Sequence, residues 1–164
     1  MFLLLRKSKI KFLFILIVFS FVSCSKKQSQ KNITISDNWI FASEKDSVWL
    51  PAKVPGTVHT DLIDNEIIQD PFFRLNEREI QWIDKKEWRY KTNINIDLET
   101  FNSQNIFLEF KGLDSYSNIF LNDSLLLKTD NMFRTYNLDV KNYVDQGNNK
   151  LEIVFESPIK KGLE

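Results

Sequence analysis

Cysteine and histidine are nearly missing: the 164 residues contain one of each, Cys24 and His59. One cysteine excludes an internal disulfide framework, and the pair together excludes a zinc site built from Cys and His. Glycine and proline number four each, which excludes a low-complexity chain rich in either and leaves much of the turn chemistry to Asn and Asp. Neither sign of charge is in excess, since 22 Lys+Arg face 22 Asp+Glu. The main apolar run, residues 12–22, is interrupted by Ser20 and falls short of the ~20 residues a membrane-spanning helix needs. The chain has no G-x-S-x-G nucleophile motif, no glycine-rich phosphate loop and no EF-hand pattern.

Aromatic residues make up 13%, with 14 Phe and 4 Trp, too rich for a disordered chain. The balanced charge is unevenly placed. Residues 1–23 carry Arg6, Lys7, Lys9 and Lys11 and no acid, leaving 18 bases and 22 acids for residues 24–164. A mildly acidic chain lacks the basic stripe that nucleic-acid backbones select. Four positive charges followed by an apolar run of this length form a secretory signal segment, residues 1–23. The Cys that follows is similar to the lipobox cysteine of bacterial lipoproteins, with Phe21 three places before it where Leu is usual. That similarity implies lipidation at Cys24, export, and a membrane anchor in the periplasm, outer membrane or cell surface. An ordinary signal with an incidental cysteine is the alternative. Residues 24–33 then read as a polar tether.

The remainder reads as strands. Trp88, Tyr90, Thr92, Ile94 and Ile96 alternate with Arg89, Lys91, Asn93, Asn95 and Asp97, one face for a core and one for water. Ile106–Phe110, Asn118–Leu121, Leu125–Leu127, Thr135–Val140 and 151–155 are further strands, and Trp39–Phe41 and Val48–Leu50 early edge strands. Asn122-Asp123-Ser124 marks a hairpin turn, and residues 145–149 the turn before the last strand. Seven or eight short strands predict an all-β antiparallel sandwich or jelly roll. One short helix is expected, capped by Thr57 and running to Leu62 or Ile63. Asp70–Gln81 has no clean period and reads as a long structured loop, the kind that often carries function.

Residues that could carry chemistry are few. His59, near Asp61 and Asp64, lacks a nucleophile motif and reads as structural. Glu77 and Glu79 are two carboxylates, as sugar hydrolysis requires, but stand too close in sequence to face each other across a glycosidic bond. Asp123, Asp130, Asp139 and Asp145 offer calcium-type oxygens without a binding pattern. No metal site and no cofactor is expected. Trp39, Trp49 and Trp88 are expected in the core. Trp82, at the end of the long loop, suits packing or a ligand surface equally.

An ordered series of motifs carries a resemblance. Residues 49–62, Trp-Leu-Pro-Ala-Lys-Val-Pro-Gly-Thr-Val-His-Thr-Asp-Leu, resemble the opening signature of β-mannosidases in glycoside hydrolase family 2. The likeness continues through Asp70-Pro71-Phe72, Asn76-Glu77, Gln81-Trp82-Ile83, Trp88 and Tyr90. It extends to Gly112-Leu113-Asp114, Asn131-Met132-Phe133-Arg134 and Ser157-Pro158. It covers nearly everything from about Trp39 to Pro158.

The resemblance implies a galactose-binding-domain-like jelly roll over residues 34–158, with 159–164 starting a linker. In the family this domain precedes immunoglobulin-like sandwiches and a (β/α)₈ barrel that carries the two catalytic glutamates. No position here matches those glutamates, so no catalytic residue is carried over. The implied activity of a full-length relative is retaining, exo-acting hydrolysis of terminal β-D-mannose, with this stretch alone inactive. Asn76, Glu77, Gln81 and Trp82 are implied at the rim of the sugar pocket. Asp114 and Arg134 are implied as loop-fixing residues. Phe72, Phe73, Ile80 and Trp82 are expected on an exposed face that packs on a barrel. The alternative is a free-standing lipoprotein module that binds sugar or protein without catalysis.

Overall fold

The computed structural model describes residues 30–163, and the secondary structure lies within the unit Thr34–Glu164. The signal segment and most of the tether fall outside the described residues. Eight strands appear among those described. They are β1 Ile40–Ser43, β2 Leu50–Pro51, β3 Trp88–Ile96, β4 Phe107–Lys111, β5 Ser117–Leu121, β6 Ser124–Thr129, β7 Thr135–Asp139 and β8 Gly147–Phe155. Four helices join them: α1 Val58–Asp64, and three single turns, α2 Asn76–Glu79, α3 Leu98–Phe101 and α4 Pro158–Lys161.

Six strands form one antiparallel sheet in the order β2-β1-β3-β8-β5-β6, and β4 and β7 form a second. β3 and β8 pair over nine residues, from Trp88↔Phe155 to Ile96↔Gly147. Because side chains alternate across a strand, this register puts Trp88, Tyr90, Ile96, Leu151 and Ile153 on one buried face. Ile119 and Leu121 of β5 join them fully buried. Phe110 of β4 belongs to the same core, with Leu108, Tyr136 and Leu138 packed against it. The two sheets thus share one hydrophobic interior, the expected sandwich.

Turns follow the predicted chemistry with small shifts. Asn122 and Asp123 both have positive φ, 49° and 64°, as a two-residue hairpin turn of the I′ type requires. Ser124, read as part of the turn, already belongs to β6. The turn before β8 is held by Asn149, which is fully buried. Its Oδ1 accepts from the Asp145 N–H at 2.7 Å and from Asn122 Nδ2 at 2.8 Å. Its Nδ2 donates to the carbonyls of Asp145 and Gly147 at 2.8 and 3.0 Å. One side chain therefore satisfies a buried loop that would otherwise strand polar backbone groups.

Some expectations change: four short helices stand among the described residues where one was expected, and the second edge strand is Leu50–Pro51 rather than Val48–Leu50. Trp49 is half-buried rather than in the core, and the Arg89 and Lys91 head groups lie over its ring at 4.8 and 3.4 Å. It sits beside the two-residue edge strand β2, where cationic head groups cover its ring. Residues 158–161 form a helical turn that opens the stretch 159–164 read as the start of a linker.

Replacing Asn149 by Ala should lower unfolding stability by about 2–3 kcal/mol, because its partners lose buried hydrogen bonds. Urea unfolding checks this against Asn93→Ala, an exposed strand position expected to change stability by less than ~0.5 kcal/mol.

Candidate functional site

The 49–64 stretch is built around one buried carboxylate. Thr57 caps α1: its hydroxyl accepts from the Thr60 N–H at 3.3 Å, and Thr60 Oγ1 accepts from the Thr57 N–H at 3.0 Å. That reciprocal box starts the helix so that Asp61 and Leu62 face inward, 1% and 2% exposed. Asp61 Oδ1 accepts from the Lys53 N–H at 2.9 Å, and Oδ2 accepts from the Tyr90 hydroxyl at 2.8 Å. Asn65 Nδ2 closes the unit by donating to the carbonyls of Pro51 and Asp61 at 2.9 and 2.7 Å. Gly56 is required by close approach, since a Cβ there would stand 2.3 Å from the Lys53 carbonyl oxygen. Loop 52–57, α1 and β3 are thereby tied to one side chain.

Burial pushes the Asp61 carboxyl above its ordinary value. The hydrogen bonds from Lys53 and Tyr90 oppose that shift without cancelling it, and the charge of Asp64 adds to it. The Tyr90 hydroxyl is also pushed up, first by burial and then by its bond to Asp61. By contrast, the Lys53–Asp64 ion pair at 2.6 Å is solvent-exposed and adds little. His59 lies half-buried on α1. The polar side chains Thr57, Thr60, Asp61 and Asn65 are thus engaged in structural hydrogen bonds.

The loop from Asp70 to Glu87 is held by its own polar groups. Asn76 Nδ2 donates to the Asp70 carbonyl at 2.8 Å, and Gln81 Nε2 to the Glu77 carbonyl at 2.8 Å. Ile83 is buried, and its carbonyl accepts from Trp88 Nε1 at 2.9 Å. Glu77 and Glu79 are exposed on the single turn α2, an arrangement that cannot flank a glycosidic bond. Trp82 is packed against the core, 6.0 Å from the Trp88 ring, with the Lys86 ammonium 4.6 Å from its centroid. Ile80 is likewise packed on the core. Only Phe72 and Phe73 of the expected apolar face are exposed, at 96% and 54%, and Leu75 adds to them at 59%.

Beside Trp82 lies a cleft of about 150 Å³ with Val48, Leu50 and Leu62 in its walls and Asp46 and Lys86 as its charged groups. Loops 44–49 and 82–86 form two of its sides. Asp114 and Arg134 stand apart from this region in the chain. The Lys111↔Thr135 pairing places both just beyond one end of the β4–β7 sheet. The Asp114 carboxylate accepts from its neighbour Ser115. Arg134 is exposed, and its N–H donates to the Asn131 carbonyl at 3.4 Å. Among the described residues, no three His, Cys, Asp or Glu side chains gather as a metal site. Asp123 instead pairs with Lys150 at 2.8 Å.

Residues 39–164 match the family model described as the glycosyl hydrolase 2 galactose-binding domain-like domain. The chain belongs to this family. β-Mannosidase of Bos taurus is 38% identical over 130 residues, 78% of this chain and 14% of that protein. The crystal structure of β-D-mannosidase from Dictyoglomus thermophilum superposes with a TM-score of 0.79 at 39% identity. That match covers 80% of this chain and 16% of the other. An exo-chitosanase from Amycolatopsis orientalis, 19% identical with a TM-score of 0.69 over 77% of this chain, shares the fold alone. This stretch thus spans about one sixth or less of the mannosidases it matches. It corresponds to the galactose-binding-like domain of glycoside hydrolase family 2 β-mannosidases.

Asp61 was the residue least visible in sequence, where it read as a weak partner for His59. Two signals point to it: it precedes Leu62 on the buried side of a capped helix, and Tyr90, on the core-facing side of β3, needs a partner for its hydroxyl. Asp61→Ala should cost about 2–3 kcal/mol by leaving the Lys53 N–H and Tyr90 hydroxyl unpaired, and Tyr90→Phe about 1 kcal/mol. The raised carboxyl means that the fold favours protonated Asp61. Its contribution is complete below the unfolded-state value and is lost as pH rises through the folded-state value. Wild-type stability relative to Asp61→Asn should therefore fall as pH rises through the acid range, measured by urea unfolding at several pH values.

Proposed function

We propose that this chain is the non-catalytic supporting domain of an exo-acting β-mannosidase that removes terminal β-D-mannose with retention. The observation that carries the reading is the 39% identity and 0.79 TM-score to a β-D-mannosidase across the sandwich. Hydrolysis with retention needs two carboxylates about 5 Å apart across the sugar bond, and these belong to a barrel encoded elsewhere in the full enzyme. The segment with Asn76, Glu77, Gln81 and Trp82 serves the rim of that sugar pocket. Its internal hydrogen bonds support this role, because a loop fixed by its own amides presents the same surface before and after substrate arrives. Phe72, Phe73 and Leu75 pack on the remainder of the enzyme, as their exposure suggests.

The enzyme is exported and lipid-anchored at Cys24. Support comes from the four basic residues, the apolar run 12–22 and the cysteine that follows.

The reading frame beyond codon 164 should encode a barrel with two well-separated glutamates, and a stop codon there would overturn the assignment. The chain by itself should give no turnover of an aryl β-mannoside above a buffer blank. Turnover abolished by Glu77→Gln would restore catalysis to the loop. In cells, Cys24→Ser should move the protein from the membrane fraction to the soluble exported fraction, with loss of the diacylglyceryl mass on the mature N-terminus. An unchanged distribution would reject the lipid anchor.

A further inference from the structure

The register of the large sheet brings three acids together at one end. Ser43 pairs with Trp88, and Trp88 with Phe155. One residue farther out on each of these adjacent strands stand Glu44, Glu87 and Glu156. The Glu44 N–H donates to the Glu87 carbonyl at 3.0 Å, and the Glu156 N–H to the Tyr116 carbonyl at 2.9 Å, so the row continues the ladder. Like charges on neighbouring strands repel. The Glu87 carboxyl is accordingly raised, first by burial, then by Glu44 and Glu156, with Lys160 and Arg89 opposing.

The turn α4 lies over this row. Ser157, nearly fully buried, caps it by accepting from the Lys160 N–H at 3.2 Å, and its hydroxyl donates to the Asp84 carbonyl at 2.7 Å. Lys160 Nζ lies 3.6 Å from Glu44, and Lys161 Nζ lies 3.6 Å from Glu156. Asn118 Nδ2 donates to Glu156 Oε1 at 2.7 Å, which fixes the outer acid. These contacts reach both sides of the Trp82 cleft. Glu44 begins the loop holding Asp46 and Val48, and Asp84 lies between Trp82 and Lys86.

We infer that α4 is an electrostatic clip: its two lysines offset much of the negative charge of the row Glu44, Glu87 and Glu156 by pairing with its two outer members, and with Ser157 they hold together the two loops that wall the Trp82 cleft. A turn of four residues has no stability of its own, so its docking depends on these contacts. Docking of α4 and closure of the cleft walls are then one event. The direction in which the chain leaves the sandwich is coupled to the shape of a loop region far away in sequence.

Amide hydrogen exchange of the whole chain tests the clip. The variant Lys160→Glu with Lys161→Glu should exchange faster in 157–163, 44–49 and 82–87 together, by roughly two- to tenfold, the scale of two exposed ion pairs. The β3–β8 ladder should stay protected. Swapping only the Lys160–Glu44 pair, as Glu44→Lys with Lys160→Glu, should keep exchange slow in all three segments while leaving the Asn118–Glu156 bond in place. Ser157→Ala, which removes the cap without changing charge, should loosen the same three segments and keeps the test informative if the reversed variant unfolds. Unchanged exchange, loosening confined to 157–163, or failure of the swapped pair to keep exchange slow would each overturn the inference.

Discussion

A buried carboxylate hydrogen-bonded to a backbone N–H and a tyrosine hydroxyl anchors loop 52–57 to the large sheet. Asp61 is enclosed by Lys53 and Tyr90, and it ties short segments to the long, doubly paired strand β3. β2 has two residues and α1 seven, both too short to persist alone. Removing a charge from water is unfavourable, and the raised Asp61 carboxyl records that cost. Both its oxygens are bonded to groups that would themselves be stranded without it. The node is therefore specific: a carboxylate of this reach must occupy this position for the loop, the helix and the sheet to meet.

This arrangement changes the meaning of the family signature. Residues 49–62 contain the chain's one histidine, His59, and one acid, Asp61. The structure assigns these residues to capping, close backbone approach and burial. In this galactose-binding-like domain the stretch ties a loop, a helix and a strand together. The same logic governs the loop that follows. Asn76 and Gln81 spend their amide donors on carbonyls within the loop, and Trp82 gives much of its surface to the core, so this long connection has one defined shape.

Much of the sandwich was legible in the residues. The alternation from Trp88 to Ile96 reports a strand with one buried face because side-chain direction has a period of two. Asn122-Asp123 reports a tight hairpin because few other residues adopt two successive positive φ angles. Thr57 reports a helix start because its hydroxyl satisfies an orphan N–H. The misplaced residues share a cause. Trp49, Trp82 and Ile80 have side chains that suit a core or a surface, and local pattern cannot separate the two. Position within the sheet decides: Trp49 adjoins a stub of an edge strand, whereas Trp82 lies over Trp88.

The sequence by itself determined the strands, the turns and the family, since each rests on local geometry or an ordered series of motifs. Only the tertiary structure decided which distant groups meet. Asp61 and Tyr90 are 29 residues apart, Ser157 and Asp84 are 73, and the row Glu44, Glu87 and Glu156 arises from strand order and register. A one-residue slip would move every side chain of a strand to its other face. Such meetings are fixed by how the whole sheet pairs and buries its core, and no window of sequence contains that information.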